Sequence, residues 1–292
     1  MAFTTIKAGH FEINYGDTHF RRTDNGNAMY NPFVGNTLLD AFTTEIGGEV
    51  YVRNDWGLIA MVSGLAGESR GMVTRPDQRS IAWVTKLGFD RQFTKDVRVR
   101  LTGSTFNQPS ATNNTLFAGD RAGSRYYMVL ENTAATETAN YSSAMFNPGF
   151  GDKLRSYTIN PFVKVRGLEV FGDFTNAKGR KATESDYRDV AQQSYEAVYR
   201  FGGNEKLFVG GRYNTVDGTL NLVRPASNLG AALTTNQDVK VDRTQLSAGW
   251  FVTPAIMLKG EYMTQKYNDF PTWDIRSKGK IDGFVVEGVV AF

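Results

Sequence analysis

The sequence predicts an all-β chain, a transmembrane antiparallel β-barrel of about 14 strands that occupies residues 1–292 as one domain. Three observations predict it. Apolar and polar residues alternate with period two over segments of about ten residues, the pattern of strands whose two faces meet different surroundings. The chain holds 30 glycines and 13% aromatic residues but is only 41% apolar, and no run of about 18 apolar residues could cross a bilayer as a helix. Short and long connections alternate, as they do when one side of a membrane receives tight turns and the other receives loops.

Met1–His10 (MAFTTIKAGH) has neither the basic start nor the apolar core of a secretion signal, so a trimmed chain or a fragment is expected. Residues 15–40 form a long polar connection. Phe42, Thr44, Ile46, Val50 and Val52 then oppose Glu45, Glu49, Tyr51 and Arg53, and a short turn follows at 54–55. After the long connection 64–79, Ile81, Trp83, Leu87 and Phe89 oppose Lys86 and Asp90. A short turn at 93–96 leads to Val97, Val99 and Leu101, opposed by Arg98, Arg100 and Thr102. Residues 107–123 are a further long connection. Alternation of loop lengths then requires a strand at Ser124–Glu131, a short turn at 133–135 and a poor strand at Thr136–Phe146.

Past the turn at 166–167 and the connection 177–188, Ala191, Tyr195, Ala197, Tyr199 and Phe201 oppose Gln192, Ser194, Glu196 and Arg200. The turn at 202–206 precedes Leu207, Val209, Gly211 and Tyr213, opposed by Arg212 and Asn214. Connection 218–237 and turn 253–254 bracket the next strands. Leu258, Gly260, Tyr262 and Thr264 alternate with Lys259, Glu261 and Gln265. Beyond connection 268–280, Phe284, Val286, Gly288, Val290 and Phe292 share one face.

One face suits lipid: Trp83, Phe89, Phe174, Tyr199, Phe201, Tyr213, Trp250, Tyr262 and Phe292 supply an apolar band with aromatic rims, and glycines on it explain the mean hydropathy of −0.36. The other face carries Glu45, Glu49, Lys86, Arg98, Arg100, Lys164, Arg200, Arg212, Arg243, Lys259 and Glu261. So many ions in a dry core would cost several kcal/mol each, so this face is expected to line a water-filled pore. Residues 15–40 are the candidate constriction loop. Phe33, Val34, Leu38 and Leu39 are out of place in a fully solvated loop, and Arg21 and Arg22 could meet anions there.

Composition narrows function further. The net charge is +3, giving no field that would favour nucleic acid, and there is no cysteine for a disulfide or thiolate site. His10, Glu12 and Asp17 with His19 could suggest a metal site, but His10 and Glu12 fall at strand spacing on the polar face and His19 falls in a loop, so such a site is disfavoured and no cofactor is expected. No serine is linked by position to either histidine and no Gly-x-Ser-x-Gly elbow occurs, so the chain reads as not an enzyme. Thr23–Asn27 (TDNGN) lacks the spacing of a calcium loop and reads as an Asn-Gly turn. Arg121 and Arg125 read as loop charges facing water or anionic sugar lipid.

The segments KAGHFEINYGDTHFRRTDNGNAMYNPFVGN (7–36), DAFTTEIGGEVYVR (40–53), GDRAGSRYYMVLEN (119–132) and INPFVKVRGLEVFG (159–172) resemble outer-membrane porin-like proteins of the Bacteroidetes. So do the pair EAVYRF (196–201) and VGGRYN (209–214), and AGWFVTPAIMLKGEYMTQKYNDFP (248–271). More loosely, the tail resembles phosphate-selective and general porins. The resemblance implies a bacterial outer-membrane barrel, with further strands preceding residue 7 in longer members and 14–18 strands in a full-length form. The reading that follows is a porin-like channel for passive diffusion of small hydrophilic solutes or ions. Its surroundings would be the lipid bilayer and outer-leaflet glycolipid, with a homo-oligomer or an outer-membrane complex as its assembly and no nucleic acid. The competing reading is a barrel plugged by 15–40 that serves as an anchor or complex subunit.

Overall fold

A computed structural model describes residues 2–18, 28–35, 38–40, 43–68, 75–119, 128–140, 144–226 and 231–292. Twelve strands follow one another in a single antiparallel meander. They are β1 (Ala2–Glu12), β2 (Thr44–Asn54), β3 (Leu58–Leu65), β4 (Ala82–Thr94), β5 (Val97–Gln108) and β6 (Lys153–Val165), then β7 (Leu168–Arg180), β8 (Arg188–Phe201), β9 (Leu207–Arg224), β10 (Leu233–Thr253), β11 (Ile256–Asn268) and β12 (Lys280–Val290). The sheet is not closed: among the described residues β1 pairs with β2 and β12 with β11, and neither pairs with the other.

Register converts the period-two pattern into faces. Val209 stands opposite Tyr199 and Ala248, and Arg212 stands opposite Glu196 and Gln245, so apolar meets apolar on one face and polar meets polar on the other. The outward face exposes Leu87, Leu101, Ile159, Val170, Val209, Leu246, Leu258 and Val286. Tyr195, Tyr213 and Tyr262 edge the band toward the long connections; Tyr199, Phe201 and Trp250 edge it toward the short turns. From Leu207 to Tyr213 the strand rises roughly 20 Å at 3.3 Å per residue, close to the height of an outer-membrane apolar band. Above it the same face turns ionic, with Lys178 3.0 Å from Asp189 and Lys240 3.8 Å from Asp217. The ladder outlasts the lipid band there. Strands therefore continue to Arg180 and Arg224 and resume at Arg188 and Leu233, where connections 177–188 and 218–237 were expected.

The expected count of about 14 strands is corrected to 12 among the described residues. Thr136–Phe146 is not a strand: Glu137–Asn140 forms one helical turn, and residues 141–143 lie outside the described residues. In Ser124–Glu131, residues 124–127 are likewise outside them, and Met128 and Leu130 take φ of 50° and 52°, incompatible with a strand. Among the described residues no strand lies between β5 and β6, and loop alternation holds without the added pair.

The interior is not a uniform polar channel. Toward the long connections the inward positions are apolar: Met61, Val84, Phe106, Leu154, Val190, Val216, Val241 and Met263 are buried there. They pack against Ile13, Tyr15, Leu38 and Leu39 from the β1–β2 connection and Leu116, Phe117, Phe146 and Phe150 from the β5–β6 connection. Burying such side chains stabilises by roughly 1.5–3 kcal/mol each. The loops fill this level of the barrel, which corrects the expectation of a water-filled lumen along the whole inner face.

Candidate functional site

Below the apolar level the inward face is ionic, and residues 14–17 and 30–35 of the β1–β2 connection meet it. Gly16, at φ +64°, brings the segment against the wall, where a Cβ would lie 3.1 Å from Thr158 Cγ2. Its amide donates to Ser104 Oγ (3.1 Å), and the Asp17 amide donates to Asn160 Oδ1 (3.0 Å). The Asp17 carboxylate accepts from Arg100 Nε and Nη2 (both 2.8 Å), Thr102 Oγ1 (2.7 Å) and Lys86 Nζ (3.3 Å). Burial alone would raise this carboxyl, but the bonds and charge of Arg100 and the charge of Lys86 outweigh it and hold Asp17 well below the ordinary aspartate range. Lys86 also donates to Asn14 Oδ1 (2.6 Å) and Gly16 O (2.7 Å).

The tip, residues 28–35, reaches the level of the short turns. Lys259 Nζ donates to the carbonyls of Asn31 (3.0 Å) and Phe33 (3.2 Å), Arg200 Nη2 to that of Tyr30 (3.2 Å), and Arg212 Nη2 to that of Gly35. The Val34 amide donates to Glu261 Oε2 (2.8 Å). Phe33 is fully buried, with the Arg212 guanidinium 4.6 Å from its ring centre. Gly210 makes the socket: a Cβ there would stand 3.1 Å from Phe33 Cζ. Charged wall residues therefore bind the backbone of an inserted loop, a stable use of buried ions because each finds a fixed partner.

The sequence-predicted inward residues can now be placed. Lys86, Arg100, Arg200, Arg212, Lys259 and Glu261 meet residues 14–17 and 30–35 as described. Arg243 is fully buried at a higher level, donating through Nε to Gln265 Oε1 (2.6 Å) and through Nη2 to Ala144 O (2.9 Å). Glu45 accepts from the amides of Gly67 and Glu68, and Glu49 pairs with Lys7 Nζ at 2.9 Å. Lys164 lies between Glu169 (3.4 Å) and Glu205 (2.8 Å). Arg98 grips Asp90 with Nε and Nη2, each at 2.9 Å, and Arg100 Nη1 reaches the same carboxylate at 3.0 Å. Arg21, Arg22, His19, Arg121, Arg125 and Thr23–Asn27 lie outside the described residues. His10, expected with Glu12 on the polar face, stands opposite Ile46 on the outer one and bonds Thr44 Oγ1 at 2.8 Å. Sequence reasoning did not single out Asp17 as the central partner of Lys86 and Arg100, nor Gly210 as the Phe33 socket. Their signals were an acid in a loop beside a glycine, and a glycine pair within a strand.

No family model and no curated protein matches the chain. Solved structures do. OmpT of Vibrio cholerae, an outer-membrane expressed form, is 13% identical with a TM-score of 0.51, covering 98% of this chain and 76% of that one. Its loop L8 deletion mutant is 12% identical with a TM-score of 0.52, covering 99% and 76%. In-vitro folded OmpT in its trimer form is 11% identical with a TM-score of 0.50, covering 98% and 74%. The expectation that the chain is not an enzyme is withdrawn: at such low identity the matched folds carry architecture and no reaction, and scarcity of histidine alone does not decide whether this chain catalyses one. What the likeness does show is architecture: the chain has the all-β, antiparallel fold of outer-membrane β-barrel proteins.

Proposed function

We propose that the chain works in the bacterial outer membrane as a porin-like channel for passive diffusion of small hydrophilic solutes or ions, with the 15–40 loop as its constriction. The observation that carries this reading is the ionic inner wall at the level of the short turns, which meets an inserted loop while Arg98 remains 44% exposed. Hydrated charges facing a narrowed opening are the elements from which a general pore is made. The Bacteroidetes-type affinity, and assembly as a homo-oligomer or as a subunit of an outer-membrane complex, belong to the same proposal.

A second reading, a plugged barrel serving as an anchor or complex subunit, is favoured by one observation: Phe33, Val34 and Leu38 are fully buried within the sheet. Single-channel recording in planar lipid separates the two. A channel gives discrete steps in the wild-type chain. A plugged anchor is silent until residues 28–35 are replaced by a short glycine linker.

A further inference from the structure

A cavity of about 720 Å³ opens at the level of the short turns, beneath the tip of the inserted loop. Its size is that of a small-molecule site. Four aromatic side chains, Tyr30, Phe162, Phe171 and Phe251, contribute to its lining. Phe162 and Phe171 stand directly opposite each other on β6 and β7, and the Tyr30 and Phe251 rings lie 6.1 Å apart. Tyr30 keeps 65% of its surface exposed, an unusual cost for a side chain at the end of a buried loop.

The charges around this cavity nearly cancel in pairs. Arg98 is taken by Asp90, Arg100 by Asp17 and Asp90, Arg200 by Glu169, and Lys164 by Glu169 and Glu205. Among the described residues these four bases face four acids, with Lys86 sharing Asp17 from outside the lining. Lys206, in the β8–β9 turn at the rim, is exposed and makes no ion pair among the described residues. The cavity therefore joins an aromatic interior to an ammonium at its mouth that has no ion pair among the described residues.

We propose that this cavity binds a small amphiphilic monoanion, an aromatic or arylalkyl carboxylate, entering from the short-turn side. Its apolar body lies among Tyr30, Phe162, Phe171 and Phe251, and its carboxylate meets Lys206. Ordinary inorganic anions lack the body that the aromatic walls would bury, and organic cations meet an unpaired like charge at the entrance. The inference goes beyond diffusion: a site of this kind holds a solute whether or not the barrel conducts.

Calorimetry on the chain in lipid nanodiscs tests it, with 4-phenylbutyrate as probe and 4-phenylbutylamine as control. Neither Lys206 nor the Tyr30 ring holds the fold together, so Lys206→Gln and Tyr30→Ser can be compared with wild type. The expected result is saturable binding of the acid, about tenfold weaker in each variant, with no saturable binding of the amine. Absence of saturable acid binding, equal binding of the amine, or unchanged affinity in either variant overturns the proposal. A silent conductance trace alongside acid binding would overturn the channel reading and leave this one standing.

Discussion

Asp17→Asn is the sharpest perturbation of the inserted loop. The carboxylate accepts four bonds, from Arg100 twice, Thr102 and Lys86, while 4% exposed. An amide keeps the shape and loses the charge, leaving Lys86 buried with only neutral oxygens and the more distant Glu49 charge, and Arg100 with Asp90. Breaking one side of a buried ionic cluster costs about 3–5 kcal/mol. The wall strands keep their ladders, so the loss falls on local seating of the loop. At about 3 kcal/mol, local opening becomes roughly 150-fold more frequent. Hydrogen exchange of a peptide spanning 13–18, whose Gly16 and Asp17 amides bond the wall, reads this directly. Acceleration below about threefold, with the strands still protected, would refute the reasoning. The pH dependence has a defined sign. A carboxyl held below its unfolded value contributes stability that is complete above the unfolded value, about 4, and is lost only as pH falls through the depressed folded one. Wild-type exchange at 13–18, corrected for its intrinsic rate, should therefore stay flat down to about pH 4, and any Asp17 contribution should disappear only below it.

Other expectations follow from the same geometry. Val209→Arg, in the outward band at 47% exposure, should destabilise by roughly 2–4 kcal/mol in reversible unfolding from lipid, whereas Thr219→Arg, beside Asp238 above the band, should cost about 0–1. Asn214, on the inward face, is only 4% exposed and does not serve as a neutral control. Gly210→Val should expel Phe33 from its socket, seen as thiol labelling of the neighbouring Val34→Cys that the Gly210 background protects. If the barrel conducts, reversal potentials should show weak charge selectivity, because Arg98 and Arg100 are matched by Asp90 and Asp17; Arg98→Ala with Arg100→Ala should shift the preference toward cations, and a shift toward anions would contradict the pairing. Single cysteines at 272–278 should label from outside intact cells and one at Pro254 should not; the reverse pattern would invert the topology.

Strand faces were readable because lipid and lumen impose opposite demands on successive residues, as Val209 and Arg212 illustrate. Insertion of the loop was also readable, because Phe33, Val34, Leu38 and Leu39 have no reason to stay in water. The apolar inner level was not, although Ala82-Trp83-Val84 carried a trace of it by being apolar on both faces. Period alone cannot tell a lipid face from a packed lumen. Residues 128–131 and 136–140 were misread as wall because connections have no period, and counting parity rewarded an extra pair of strands. Asp17 was invisible as an anchor because its partners Lys86 and Arg100 lie on strands 69 and 83 residues away.

The layered interior bears on how such a sheet is assembled. Val84, Phe106, Val190, Val216 and Met263 would be a sticky concave surface if the sheet curled around nothing. Ile13, Tyr15, Leu38 and Leu39 between β1 and β2, with Leu116, Phe117, Phe146 and Phe150 between β5 and β6, cover them, so the connections act as a mandrel around which the sheet curls. A chain carrying Leu38→Asp and Leu39→Asp should then fail during insertion, arriving in the membrane slowly or as aggregate, rather than yielding a finished barrel with a loose loop.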